Sequence, residues 1–131
     1  VKNFFVFLKY YGILFLWLGI IFYFSSLSGT PGNVHQGREY LWFYLERKGA
    51  HIFEYFVLAM LWIRVLRFHG VKGYWFWAKV LIFPLAYSFS DEFHQTFVFG
   101  REGKLTDIVF DAAGIVAALA IWKKFPKFPF F

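Results

Sequence analysis

The sequence predicts an all-α integral membrane protein, a four-helix up-and-down bundle with an interfacial helix in its first outer loop. Three observations carry this. First, 60% of the 131 residues are apolar and 27% are aromatic, with 21 phenylalanines, against about 45–50% apolar, glycine included, in soluble domains. Second, the apolar residues gather in four runs, at 4–24, 52–66, 74–90 and 108–122. Third, the charged residues bordering the three shorter runs all fall at one end of such a bundle. The same composition excludes disorder, and the lack of cysteine excludes a disulfide scaffold. The length fits a single domain, residues 1–131, with helices at about 4–24, 48–66, 74–93 and 105–122. The net charge of +6 is scattered around the apolar runs. That pattern suits contact with membrane lipids and not with nucleic acid.

The first run, 21 residues broken only by Lys9, Gly12 and Gly19, is long enough to cross a bilayer. It is too long and too aromatic for the apolar core of a cleaved leader, so it is expected to stay. The loop that follows opens with Ser25-Ser26-Leu27-Ser28-Gly29 and turns at Pro31-Gly32. The serines are expected to hydrogen-bond the end of the first helix. The stretch from Glu39 to Arg47, rich in Tyr, Trp and Leu, reads as an amphipathic helix lying in the interface.

The other three runs are short, since fifteen helical residues reach only ~22 Å against a hydrocarbon core of ~30 Å. Extending the second backward draws in His51, Lys48 and Arg47. Extending the third forward draws in Asp91 and Glu92. Extending the fourth backward draws in Asp107, with Asp111 already inside. Gly70 and Gly73 make a short hairpin turn between the second and third helices. The tail, Lys123 to Pro129, reads as an interfacial anchor, because prolines stop the helix and lysines pair with anionic lipids.

Orientation follows from Lys and Arg. The side holding both termini and the 67–74 turn carries nine: Lys2, Lys9, Arg64, Arg67, Lys72, Lys79, Lys123, Lys124 and Lys127. The other side carries five: Arg38, Arg47, Lys48, Arg101 and Lys104. Positive-inside then places both termini in the cytoplasm of a multi-pass cell-membrane protein and turns the polar cluster outward.

Chemistry is concentrated in that cluster. Lys48, His51, Glu54 and Tyr55 share one face of the second helix. His-x-x-Glu serves as metal ligands, as an acid–base pair or as a structural hydrogen bond. In Ser90-Asp91-Glu92-Phe93-His94-Gln95, Glu92 and Gln95 are expected near the level of Asp111, whereas Asp91 and His94 read as a wetted helix end. Arg101, between Gly100 and Gly103, suits capture of phosphate or carboxylate, or pairing with Asp107 or Glu92. Asp107 and Asp111, one turn apart, can share a divalent cation or divide acid and base roles, and Asp107 can equally be the first-turn acid of its helix. Asp111 lies deeper, so it must pair with His51, Lys48 or Arg101, or be protonated. Gly114 and Ala118 continue its stripe as close-packing positions.

Taken in order, Phe24-Ser25-Ser26, Lys48-x-x-His51-x-x-Glu54-Tyr55, Asp91-Glu92-x-His94-Gln95, Gly100-Arg101 and Asp107-x-x-x-Asp111-x-x-Gly114 resemble the VanZ-like family across nearly the whole chain. The resemblance implies a small bacterial membrane protein with four helices. The family's founding member is associated with low-level teicoplanin resistance, but the family reaches well beyond resistance clusters and the resemblance supplies no reaction.

Three functions are open on the residues. One is an enzyme-like site acting on a lipid-linked or phosphorylated cell-envelope substrate. In it His51, Glu54, Glu92 and Asp111 do the acid–base or cation-binding work, and Lys48, Gln95, Arg101 and Asp107 hold substrate. The second is a non-catalytic protein that binds a lipid headgroup or glycopeptide in the same pocket. The third is a structural subunit of a membrane complex, locked by the polar set and joined to a membrane-protein partner. The sequence names no cofactor and leaves a metal open.

Overall fold

The computed structural model describes residues 2–29 and 38–126. Among them every regular element is helical. Helix α1 (Lys2–Phe7) passes through a π-helical stretch (Leu8–Gly12) into α2 (Ile13–Ser26), and together they make the first long helix. Then come α3 (Arg38–Phe68), α4 (Gly73–Gln95) and α5 (Leu105–Lys124). Three helices are long and apolar enough to cross a membrane: Phe4–Ser26, Leu41–Phe68 and Leu105–Lys124. Helix α4, 23 residues, has the length too, but carries Lys79, Asp91 and Glu92 among its residues. The chain is a membrane protein with the all-helical architecture its apolar runs imply.

One element differs in form from the expectation. The stretch at 39–47 is helical, but it is the opening of α3 and not a separate helix. Its Leu, Glu, Arg and Lys are strong helix formers, and the single Gly49 inside costs only about 1 kcal/mol relative to alanine. The helix therefore runs through the charged segment 46–48 without a break. The Pro31-Gly32 turn and the tail from Lys127 lie outside the described residues.

The core sits where α3 packs on α4 and α5. Tyr55, Leu58, Ala59 and Ile63 of α3, Val80 of α4 and Ile115 and Ala118 of α5 are all fully buried. Gly114 lets α3 and α5 approach to backbone contact, because a Cβ there would fall on the carbonyl oxygen of Ile52 and 2.9 Å from the nitrogen of Phe56. Phe4, Phe15, Leu16, Ile82, Val109 and Val116 point outward, as lipid-facing bulk should.

Aromatic donors button the helices together by bonding neighbouring carbonyls. Trp17 Nε1 donates to Glu54 O at 3.0 Å, Trp62 Nε1 to Lys79 O at 2.9 Å, and Tyr87 OH to Leu18 O at 2.7 Å. Pro84, buried within α4, cannot donate to the carbonyl one turn back. The α3–α4 turn closes on Val71 N–H to Leu66 O, 3.0 Å, in a Schellman-type ending. At the same end the Arg67 guanidinium lies over Trp122 and donates to Pro126 O at 3.1 Å, holding the start of the tail.

Candidate functional site

At the opposite end the helices bring polar residues to one level. Ser25 comes from α2, Lys48 and His51 from α3, Ser88, Asp91, Glu92 and Gln95 from α4, and Asp107 and Asp111 from α5; all are buried. The up-and-down order produces this meeting. α5 begins where α4 ends, and α3 passes the same level about three turns after its start, so residues from the three helices share a depth.

The centre is a set of ion pairs. Lys48 Nζ pairs with Asp107 Oδ1. His51 Nδ1 lies 2.9 Å from Asp111 Oδ1, and His51 Nε2 lies 3.7 Å from Asp107 Oδ2. Ser88 Oγ donates to Asp111 Oδ2 at 2.5 Å. The shorter contact makes Nδ1 the donor to Asp111, and Nε2 faces the second carboxylate, that of Asp107. The partners of His51 are thus Asp111 and Asp107. Glu54, one turn further along α3, reaches the site from another side. Of the pairings open to Asp111 in the sequence, the structure selects His51.

Asp107 is the third residue of α5, with its N–H bonded to Lys104 O at 2.8 Å. It is a first-turn acid, favoured by the helix dipole, and a lysine partner at once. Glu92 Oε2 accepts the Lys104 N–H at 2.7 Å and so caps α5 from α4. Gln95 Nε2 donates to Asp91 Oδ2 at 3.1 Å.

Beside this centre lies a cavity of about 420 Å³ between α2, α3 and α4. Its apolar wall is Phe24, Leu27, Phe43 and Ala50. Its polar wall includes Ser25, Arg47, His51, Glu54, Asp91, Gln95 and Arg101. Asp91, expected wet, is buried on this wall, because the end of α2 covers it. His94 is half-buried outside the cavity, stacked on Phe22 at 4.6 Å and 3.0 Å from Ser26 Oγ. Ser26 also bonds Phe22 O at 2.6 Å, as a serine at a helix end should.

Arg101 pairs with neither Asp107 nor Glu92. Its Nε donates to Leu27 O and its Nη2 to Phe24 O, each at 2.9 Å. Both carbonyls lie at the end of α2, where the last turn runs out of helical donors and Phe24 O otherwise accepts only the Leu27 N–H at 3.3 Å. The staple works because the segment after α2 and the α4–α5 loop touch through backbone. Gly29 N–H bonds Phe99 O at 3.1 Å, and Gly100, at φ 72°, sits where a Cβ would fall on Gly29 O. Burial, then the nearby Arg47 charge, draws the Arg101 pKa below its ordinary value, from which an arginine stays charged.

Of the residues marked from sequence, the structure gathers Lys48, His51, Glu92, Asp107 and Asp111 in the ionic centre. Glu54, Gln95 and Arg101 line the cavity beside it, with His51 common to both. Four polar residues of the cavity, Ser25, Glu46, Arg47 and Asp91, were not singled out as site residues, and Arg47 has a buried Nε with no hydrogen-bond partner. The signal for Arg47 was its place one residue before Lys48 on a helix thought to begin later.

Fold and site together define a small multi-helix membrane protein with a cluster of ionisable side chains buried at one end. That is the class; the comparison with known families is more particular. The family profile described as VanZ/LLP1 matches residues 9–126, and the chain belongs to the VanZ family. No curated protein and no solved structure matches it.

Proposed function

We propose that this VanZ-family protein binds the headgroup of a lipid-linked, phosphorylated cell-envelope molecule in the α2–α3–α4 cavity. The carrying observation is the cavity's two-sided lining, with an apolar wall of Phe24, Leu27 and Phe43 facing Arg47 and Arg101. An amphiphile with an anionic head matches that division, and guanidinium groups are the residues of choice for phosphate. Arg101 holds backbone carbonyls, so Arg47, whose Nε lacks a partner, is the primary phosphate contact. His51 and Glu54 on the same wall supply the acid–base pair for any reaction at the head. Asp111 and Asp107 orient His51, Lys48 holds Asp107, Gln95 holds Asp91 on the cavity wall, and Glu92 holds the start of α5.

Native mass spectrometry of the purified chain with undecaprenyl phosphate, and with undecaprenol as control, tests this. The phosphate should give a retained adduct that the alcohol does not. Arg47→Ala should weaken it by about 10- to 100-fold, the loss of one charge-assisted contact. Equal retention of alcohol and phosphate, or an adduct unchanged in Arg47→Ala, would overturn the reading. Inorganic phosphate released on long incubation, and lost in Glu54→Gln, would mark an enzyme. A stable adduct without product would mark a binding protein.

This reading places the cavity on the outer side of the cell membrane with both termini in the cytoplasm, supported by the nine-to-five distribution of Lys and Arg. The chain has no cysteine, so single introduced thiols report topology without background. Glu102→Cys should react with an impermeant maleimide on intact cells, and Lys72→Cys only after permeabilisation. The reverse pattern would invert the topology.

A further inference from the structure

We infer that His51, Glu92 and Asp107 form a binding site for a divalent transition-metal ion, Zn²⁺ or Mn²⁺, between α3, α4 and α5. One potential ligand atom from each of the three residues lies within 4.8 Å of the other two, and all three residues are buried. Two ligand atoms each 2.1 Å from one tetrahedral ion stand ~3.4 Å apart. The 3.7 Å between His51 Nε2 and Asp107 Oδ2 is already near that spacing.

What points to an ion is the way the other polar atoms are held. Asp111 takes His51 Nδ1–H, Lys48 takes Asp107 Oδ1, and the Lys104 N–H takes Glu92 Oε2. Each residue is thereby oriented through one atom and keeps another free. Asp107 Oδ2 and Glu92 Oε1 are buried without a hydrogen-bond partner, although Asp107 is 0% and Glu92 3% exposed. A buried carboxylate oxygen without a partner is expensive and rare. An imidazole fixed by a carboxylate on its far nitrogen, itself bonded by Ser88, is the outer-shell arrangement that metal-binding histidines use.

Charge gives an independent argument. Of the four buried carboxylates among the described residues, Asp91 is held apart by Gln95, and the other three, Asp107, Asp111 and Glu92, surround the single ammonium of Lys48. A dication balances that cluster with His51 neutral, the state a metal ligand needs. One imidazole with two carboxylates is a mixed nitrogen–oxygen set, which suits zinc or manganese better than calcium, whose sites are all-oxygen. Since His51 also lines the cavity, the ion would border it. The inference goes beyond the phosphate-lipid reading and does not depend on it.

The test uses the whole chain in detergent, stripped with chelator and equilibrated with Zn²⁺ or Mn²⁺ alone, without lipid. Elemental analysis of the monodisperse fraction should find about one ion per chain. X-ray absorption of the zinc-loaded protein should show a single imidazole with oxygen ligands at about 2.0–2.1 Å. Glu92→Gln and His51→Gln should each weaken binding by more than about tenfold, while the exposed Glu102→Gln should leave it unchanged. A wild-type protein that retains neither ion would overturn the site, whatever the variants do. So would undiminished binding in monodisperse Glu92→Gln and His51→Gln. Metal retained by a chain that ignores undecaprenyl phosphate would uphold this site and count against the lipid reading alone.

Discussion

Gly114→Leu is expected to prevent α3 and α5 from packing, and with that to abolish a monodisperse, heat-resistant fold in detergent. The reason is local and steric. A side chain at position 114 meets the Ile52 carbonyl and the Phe56 nitrogen, which are backbone atoms in the middle of a helix. They cannot swing aside as a side chain can, so α3 itself would have to move. Membrane helices associate through such small-residue contacts, since burial against lipid gives no net drive. Even Gly114→Ala should cost the roughly 1–3 kcal/mol typical of overpacking, or more, and lower the unfolding temperature accordingly. The consequence reaches the polar end, because Lys48 and His51 lie on α3 while Asp107 and Asp111 lie on α5. Gly19 and Gly49 are the controls. Each is helical with nothing within 4 Å of an added Cβ, so alanine there should be neutral or stabilising by about 0.5–1 kcal/mol. Circular-dichroism melts of the four variants decide it. A Gly114→Leu protein melting with the wild type would refute the packing argument.

How far the sequence could be read is clearest from particular residues. The runs and their flanking charges were enough to place Lys48, His51, Asp91, Glu92, Asp107 and Asp111 toward one end, because hydropathy and alternating direction alone determine depth. Which groups pair across that end was not legible. Asp111 had three named candidates, and the selection of His51 over Lys48 depends on the rotation of α3 against α5, which close contact at Gly114 sets. The start of α3 was hidden because Glu46, Arg47 and Lys48 are polar enough to read as a boundary yet are good helix formers. Arg101 was harder still. Its partners are backbone carbonyls of Phe24 and Leu27, some 75 residues away in the chain. Carbonyls leave no mark in a residue pattern. The burial of Asp91 depends in the same way on the end of α2.

Replacing Lys48 by methionine is expected to cost about 3–5 kcal/mol, the usual result of removing one partner from a buried ion pair. The methionine keeps the apolar bulk of the stem, so the loss isolates the ammonium. Asp107 is then left fully buried near Asp111 and Glu92 with its cation gone. The pair itself need not be strongly stabilising, since two charges taken from water can gain little over two apolar groups. Changing both partners should separate these possibilities. In a double-mutant cycle of Lys48→Met with Asp107→Asn, the double variant should recover much of what Lys48→Met alone loses, with a coupling of about 1–3 kcal/mol. Thermal unfolding of the four proteins in one detergent, followed by circular dichroism, gives the cycle. Additive losses would mean that the Lys48 ammonium acts on the Tyr44 and Phe110 rings, 5.2 and 5.1 Å from Nζ, and not on Asp107. The metal site makes the same cycle more informative. A dication on Asp107 Oδ2 replaces the missing charge, so Zn²⁺ should raise the melting temperature of Lys48→Met more than that of the wild type. In Lys48→Met with Asp107→Asn, where a ligand is gone as well, that extra protection should disappear.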